Sequence, residues 1–158
     1  MTVTAWPLDV LLPHAGPMVL LDEVLAVEDE TVRAVATVRR DGLFAGPHEP
    51  GVPAWVGMEY LAQAIAAWSG VHERARGRPV HPGYLVGARS FHSSVGTIPW
   101  GVVLTIEAER LMEDGAGIGV FDGHVTGAGV EQTVRLKVYL PGDPDRYWAG
   151  QSTRGNDQ

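Results

Sequence analysis

The chain contains no cysteine. That absence excludes disulfides, thiolate nucleophiles and Cys-ligated zinc. Positive charge is also scarce: 12 Lys and Arg stand against 19 Asp and Glu, for a net charge of -7. A general nucleic-acid binder is normally basic, so no nucleic-acid partner is expected. No apolar run reaches the roughly 18 to 20 residues needed to cross a bilayer, so no membrane span is expected. The opening residues, Met1 to Pro7, lack the basic start and long apolar core of a signal peptide. The expected location is therefore cytoplasmic. Internal repeats and long low-complexity segments are likewise missing.

What is present is an ordinary globular composition, 45% hydrophobic and 20% charged, on 158 residues. That length suits one domain with a sizeable core. Leu8 to Pro17 reads as a loop or short helical entry, punctuated by Pro7, Pro13 and Pro17. Met18 to Glu28, rich in Val and Leu, predicts a strand. Thr31 to Arg39 alternates, with Val32, Ala34, Ala36 and Val38 on one face and Arg33, Thr37 and Arg39 on the other, which predicts a half-buried antiparallel strand. Asp41 to Pro53 is dense in glycine and proline and predicts a loop. Four further strands are expected over Gly83 to Phe91, Val102 to Met112, Ile118 to Thr126 and Val130 to Leu140. The last two are joined by Gly127-Ala128-Gly129, a hairpin signal because glycine accepts positive φ. After Pro141 the composition turns polar. The expected organisation is a single domain over residues 1–142 and a polar tail over 143–158.

Between the two groups of strands lies the most telling stretch, a predicted helix from about Ala54 to Arg74. From Val56 to Gly70 it is apolar almost all round, so it must be buried on most sides. In a short chain, a sheet wrapped around the helix is the simplest cover. The layout is α+β: a long central helix packed against a curved antiparallel β-sheet. This helix carries one acid, Glu59, and one amide, Gln63, four residues apart and so on one face. A carboxylate on so apolar a helix is costly to bury unless paired or neutral, which makes Glu59 a candidate general acid or base. The plainer reading is a first-turn acid that suits the helix dipole. Arg74, Arg76 and Arg78 follow at the other end, either as a solvated helix terminus or as a dock for an acidic protein.

Four motifs in order make the chain resemble the hotdog-fold 3-hydroxyacyl-acyl carrier protein dehydratases. They are Leu12-Pro-His-Ala-Gly-Pro-Met-Val-Leu-Leu-Asp22, Gly46-Pro-His-Glu-Pro-Gly51, Glu59-Tyr-Leu-Ala-Gln63, and the strand pair from Tyr84 to Arg110. Val52-Pro-Ala-Trp-Val-Gly-Met-Glu59 and Ala66-Ala-Trp-Ser-Gly70 are most similar to the ApeP-like branch, which is associated with aryl polyene assembly. The resemblance spans about residues 8 to 140. It implies a hotdog fold and loss of water from a 3-hydroxyacyl chain, giving a trans-2-enoyl thioester. The implied partners are an acyl carrier protein and a second hotdog subunit, in a homo- or hetero-oligomer whose sites form across the subunit interface. No cofactor and no metal is expected.

By motif position His48 takes the base role and Glu59 the acid role. His14 is the rival base or a shaper of the site, and Gln63 orients Glu59 or the substrate. Trp55 and Trp68 are expected in the core or the tunnel wall. The amides near Val56 and Gly57 are expected at the thioester oxygen, with Gly57 leaving room for it. Two departures from the housekeeping pattern affect His48. It stands closer to Glu59 in the chain, and Glu49 replaces the phenylalanine that follows the histidine. These features keep two other readings open, a non-catalytic partner subunit shaping a heterodimer's tunnel and an acyl thioesterase.

Overall fold

The structure, a computed structural model, describes residues 6–42, 44, 46 and 48–140. The expected tail over 143–158 lies outside the described residues. A short helix α1 (Leu8–Leu11) and a 3-10 turn (Gly16–Met18) lead into β1 (Glu23–Val27) and β2 (Thr31–Thr37). A short β3 (Gly51–Pro53) precedes the long helix α2 (Val56–Ala75). Then follow β4 (Tyr84–Ser93), β5 (Thr97–Pro99), β6 (Val103–Glu113), β7 (Ile118–Gly127) and β8 (Val130–Tyr139). Six strands form one sheet in the order β1-β2-β6-β7-β8-β4, each antiparallel to its neighbour, and β3 pairs with β5 in a separate ribbon.

The alternation in sequence is the cause of this sheet. On β2, Val32, Ala34 and Ala36 are buried, and on β6, Leu104, Ile106 and Ala108 face the same core. Slipping any strand by one residue would turn that row to water. The outward rows carry charges that meet across registered pairs, with Arg135 2.8 Å from Asp122 and Arg33 3.7 Å from Glu107. Exposed pairs of this kind contribute about 0–1 kcal/mol each, so the buried rows dominate stability.

Helix α2 lies against the inner face, touching β6, β2, β1 and β7. Ala64 and Ala67 are fully buried, and their small side chains allow close approach. The wrapping is less complete than the apolar sequence predicts. Glu59, Ala62, Ala66, Ser69 and Glu73 form a half-buried stripe along the helix. On another side α1 presses down at Gly70, where a Cβ would stand 2.5 Å from the Leu11 carbonyl oxygen. Gly70→Ala should therefore lower the urea midpoint. Alanine gains about 1 kcal/mol in helix propensity, but overpacking against backbone costs about 1–3 kcal/mol. A midpoint equal to or above wild type would show that α1 does not pack there.

Two expected elements shift. The strand expected from Met18 starts only at Glu23, because Gln63 takes the Met18 carbonyl and the Leu20 N–H away from the ladder. Strand β3 falls at the end of the expected loop and β5 between two expected strands, since Gly51, Pro53 and Pro99 hide a strand signal.

Candidate active site

The site is built on one face of α2, and Gln63 is its keystone. The Gln63 side chain is fully buried, yet all its polar atoms are used. Its Oε1 accepts from the Leu20 N–H at 2.9 Å, and its Nε2 donates to the Met18 carbonyl at 2.6 Å. The same Nε2 donates to Glu59 Oε1 at 3.3 Å, one turn earlier on the helix. Gln63 thus does two jobs. It straps the segment around Met18 to α2, and it turns the Glu59 carboxylate toward that segment.

His14 lies at the other side of this carboxylate. Pro13 and Pro17 restrict the backbone of the segment, and α1 anchors its start through the buried Leu11. His14 Nε2 stands 3.8 Å from Glu59 Oε1, and the two side chains are 26% and 34% exposed. Glu59 is therefore an accessible acid at the edge of the core, not one sealed within it. At 3.8 Å the contact is longer than a hydrogen bond. It leaves both groups free to engage a third molecule that enters between them. His14 Nδ1 is buried without a hydrogen-bond partner.

The structure does not bring His48 to this pair within the chain. His48 is exposed in the turn after Gly46 and makes no hydrogen bond or ion pair among the described residues. Its loop is pinned elsewhere, with Trp100 Nε1 donating to the Glu49 carbonyl at 2.6 Å. Trp55, the residue before α2, is 50% exposed and meets the Phe44 ring edge-on at 5.4 Å. Trp68 is a core residue, with its Nε1 donating to the Glu28 carbonyl at 3.0 Å. Tyr60, next to Glu59, is buried. Desolvation holds its phenol above the usual tyrosine range, with Arg39 pulling it down and Asp22 pushing it up.

At the head of α2, Val56 is the first helical residue, and its N–H has no carbonyl within the helix to bond. Gly57 donates to the Ala54 carbonyl at 3.0 Å. The space left by its missing side chain is filled by Gln132, whose Oε1 would lie 1.7 Å from a Cβ at Gly57. What the glycine admits here is a side chain from β8, where the motif implied a thioester. Gln132 escaped the reading of the sequence. Its signal was a polar residue on the inward row of an alternating strand.

At the far end of the helix, Arg78 and Arg76 both turn to Glu73, at 2.7 and 3.9 Å, while Arg74 is exposed. Among the described residues no three His, Asp or Glu side chains converge to hold a metal ion. No helix there is long and apolar enough to cross a membrane.

Comparison with known proteins adds an independent line. A family model described as ApeP-like, ApeP dehydratase, matches residues 6–149. The solved dehydratase heterocomplex ApeI:P from Xenorhabdus doucetiae contains a chain 35% identical to this one, with a TM-score of 0.81 over 92% of this chain and 98% of that one. A 3-hydroxyacyl-[acyl-carrier-protein] dehydratase FabZ from Streptococcus pneumoniae (strain Hungary19A-6) is 36% identical over 75 residues, 48% of this chain and 51% of the relative. The chain thus spans about half the length of the curated relatives it matches. A hypothetical thioesterase with coenzyme A from Streptococcus pneumoniae TIGR4 is 14% identical, with a TM-score of 0.57 over 77% of this chain and 86% of that one, and shares the fold alone. The helix wrapped by a curved antiparallel sheet is the hotdog fold.

Proposed function

This chain belongs to the ApeP-like dehydratase family, and from that premise we propose that it is a subunit of a 3-hydroxyacyl-acyl carrier protein dehydratase. The observation that carries the proposal is the carboxylate of Glu59, oriented by Gln63 at 3.3 Å and faced by His14 at 3.8 Å. Dehydration needs a base for the proton beside the thioester carbonyl, an acid for the departing hydroxyl, and a donor for the charge that grows on the carbonyl oxygen. A neutral imidazole suits the first role. In this proposal His14 takes that proton as the C–O bond at the third carbon breaks. The carboxyl of Glu59 gives its proton to the leaving hydroxyl, and one water departs. The trans-2-enoyl thioester is left, with the uncommitted Val56 N–H at the head of α2 meeting its carbonyl oxygen. The carrier-bound chain belongs to fatty-acid, polyketide or aryl polyene assembly, in the cytoplasm.

A second reading has its own observation. His48, the base by motif position, stands exposed and apart from Glu59. This supports a half-site in which the chain supplies the acid and a second hotdog subunit the base. A thioesterase reading is weaker, because the likeness to thioesterases is one of fold alone. The test is to incubate the full chain, alone and with a candidate hotdog partner, with a 3-hydroxyacyl carrier protein. Loss of one water by mass spectrometry supports the proposal, and release of free acid supports the thioesterase.

Assembly follows from the sheet. Strand β4 is an edge of ten residues, and Tyr84, Leu85 and Val86 on it are 41%, 50% and 54% exposed. A long apolar edge of this kind recruits another strand. Sedimentation should therefore give a mass near twice 17.0 kDa or above at micromolar concentration. A mass near 17.0 kDa would contradict pairing of the chain with itself.

A further inference from the structure

The inner row of β8 is Val130, Gln132, Val134, Leu136 and Val138, and one of these five is polar. Gln132 is 1% exposed. Its Nε2 donates to the Ala54 carbonyl at 2.9 Å and to Ser93 Oγ at 3.0 Å. Ser93 passes the bond on, donating from its hydroxyl to the Val95 carbonyl at 2.7 Å. The amide oxygen of Gln132 is buried with no hydrogen-bond partner, pressed against Gly57. A buried acceptor without a partner is costly, and an apolar residue would fill this row at no such cost.

The function of the amide is legible in what it holds. Ala54 lies just ahead of α2. Its N–H donates to the Gly96 carbonyl at 3.0 Å, and its own carbonyl accepts from both Gln132 and the Gly57 N–H. The entry to the helix is thereby tied to β8, to the β4–β5 connection and to the helix's own first turn. Between Ala54 and Glu59 lie only the turn residue Trp55 and the first turn of α2, so an error at the entry is carried directly to the carboxyl. Resting on the dehydratase reading above, we infer that Gln132 is a positioning residue for the reaction. It fixes the first turn of α2 so that the Val56 N–H at its head and the Glu59 carboxyl keep one mutual register. Gly57 belongs to the same device, because a side chain there would expel the Gln132 amide.

Two substitutions in the full chain, assayed with whatever hotdog partner activity requires, test this. Gln132→Met keeps the volume and donates nothing. It should lower kcat for a 3-hydroxyacyl carrier protein by roughly 10- to 100-fold with KM little changed, the signature of misplaced reacting groups and not of lost binding. Gln132→Glu keeps the shape, and only its protonated form can donate to the Ala54 carbonyl. Burial raises a carboxyl's pKa, so the ratio of Gln132→Glu to wild-type kcat, each referred to the folded protein that circular dichroism measures at that pH, should climb as pH falls, which a loss of folded protein alone would not produce. Circular dichroism checks the fold, and if Gln132→Met fails to fold, the pH ratio of Gln132→Glu decides. A folded Gln132→Met with wild-type kcat, or a flat pH ratio, overturns the inference while the wild type remains an active dehydratase. A wild type that removes no water under any pairing overturns the dehydratase reading, and the inference with it.

Discussion

Glu59→Gln is expected to lower turnover of a 3-hydroxyacyl thioester by about 100-fold or more, the usual scale for loss of a general acid–base group. The substitution keeps the size of the side chain and an oxygen to accept the 3.3 Å bond from Gln63. It removes the one property the proposed chemistry requires, a proton that can be given up. Glu59 is one-third exposed and sits at the edge of the core, so its replacement should leave the fold and the strap from Gln63 to Met18 and Leu20 in place. Single-turnover assays beside circular dichroism separate loss of chemistry from loss of structure. Full activity of Glu59→Gln in the intact assembly would mean that this chain does not supply the acid, and its role would fall back to shaping a partner's tunnel.

The second large effect is expected at His14. His14→Ala should cost about 100-fold in turnover if its imidazole removes the proton, and His48→Ala in the same assay should cost little. Local structure should survive, because the neighbouring segment is held by backbone bonds to Gln63 and not by the histidine. The pair of variants reads out three arrangements. Loss at His14 alone places the base beside Glu59 in one chain. Loss at His48 alone means that its exposed loop reaches the acid of another subunit. No loss at either, with Glu59→Gln inactive, assigns the base to a different hotdog subunit, as the half-site reading requires.

Much of this was legible in the chain because it is local and periodic. Alternation along β2, β6, β7 and β8 is a direct imprint of a sheet with one buried face, and the apolar girth of α2 is the imprint of a helix surrounded by it. The pairing of Glu59 with Gln63 follows from helical spacing alone. The ribbon of β3 and β5 was not legible, since glycine and proline in it read as loop until a partner strand supplies the hydrogen bonds. Nor was the late start of β1, which depends on Gln63 reaching residues far away in the chain.

The sequence by itself determined the fold class, the central helix and the acid on it, because each is written in spacings of two to four residues. Which histidine lies beside that acid within one chain was a matter for tertiary structure. The motifs put forward His48, eleven residues before Glu59. Within one chain, the packing of α1 on Gly70 and the strap from Gln63 carry His14 to the carboxylate from a distant part of the sequence. The same holds for Gln132, which reaches Ala54 from the last strand. Contacts between residues so far apart leave no period in the sequence. They exist only once the burial of the sheet's inner face has fixed where each segment lies.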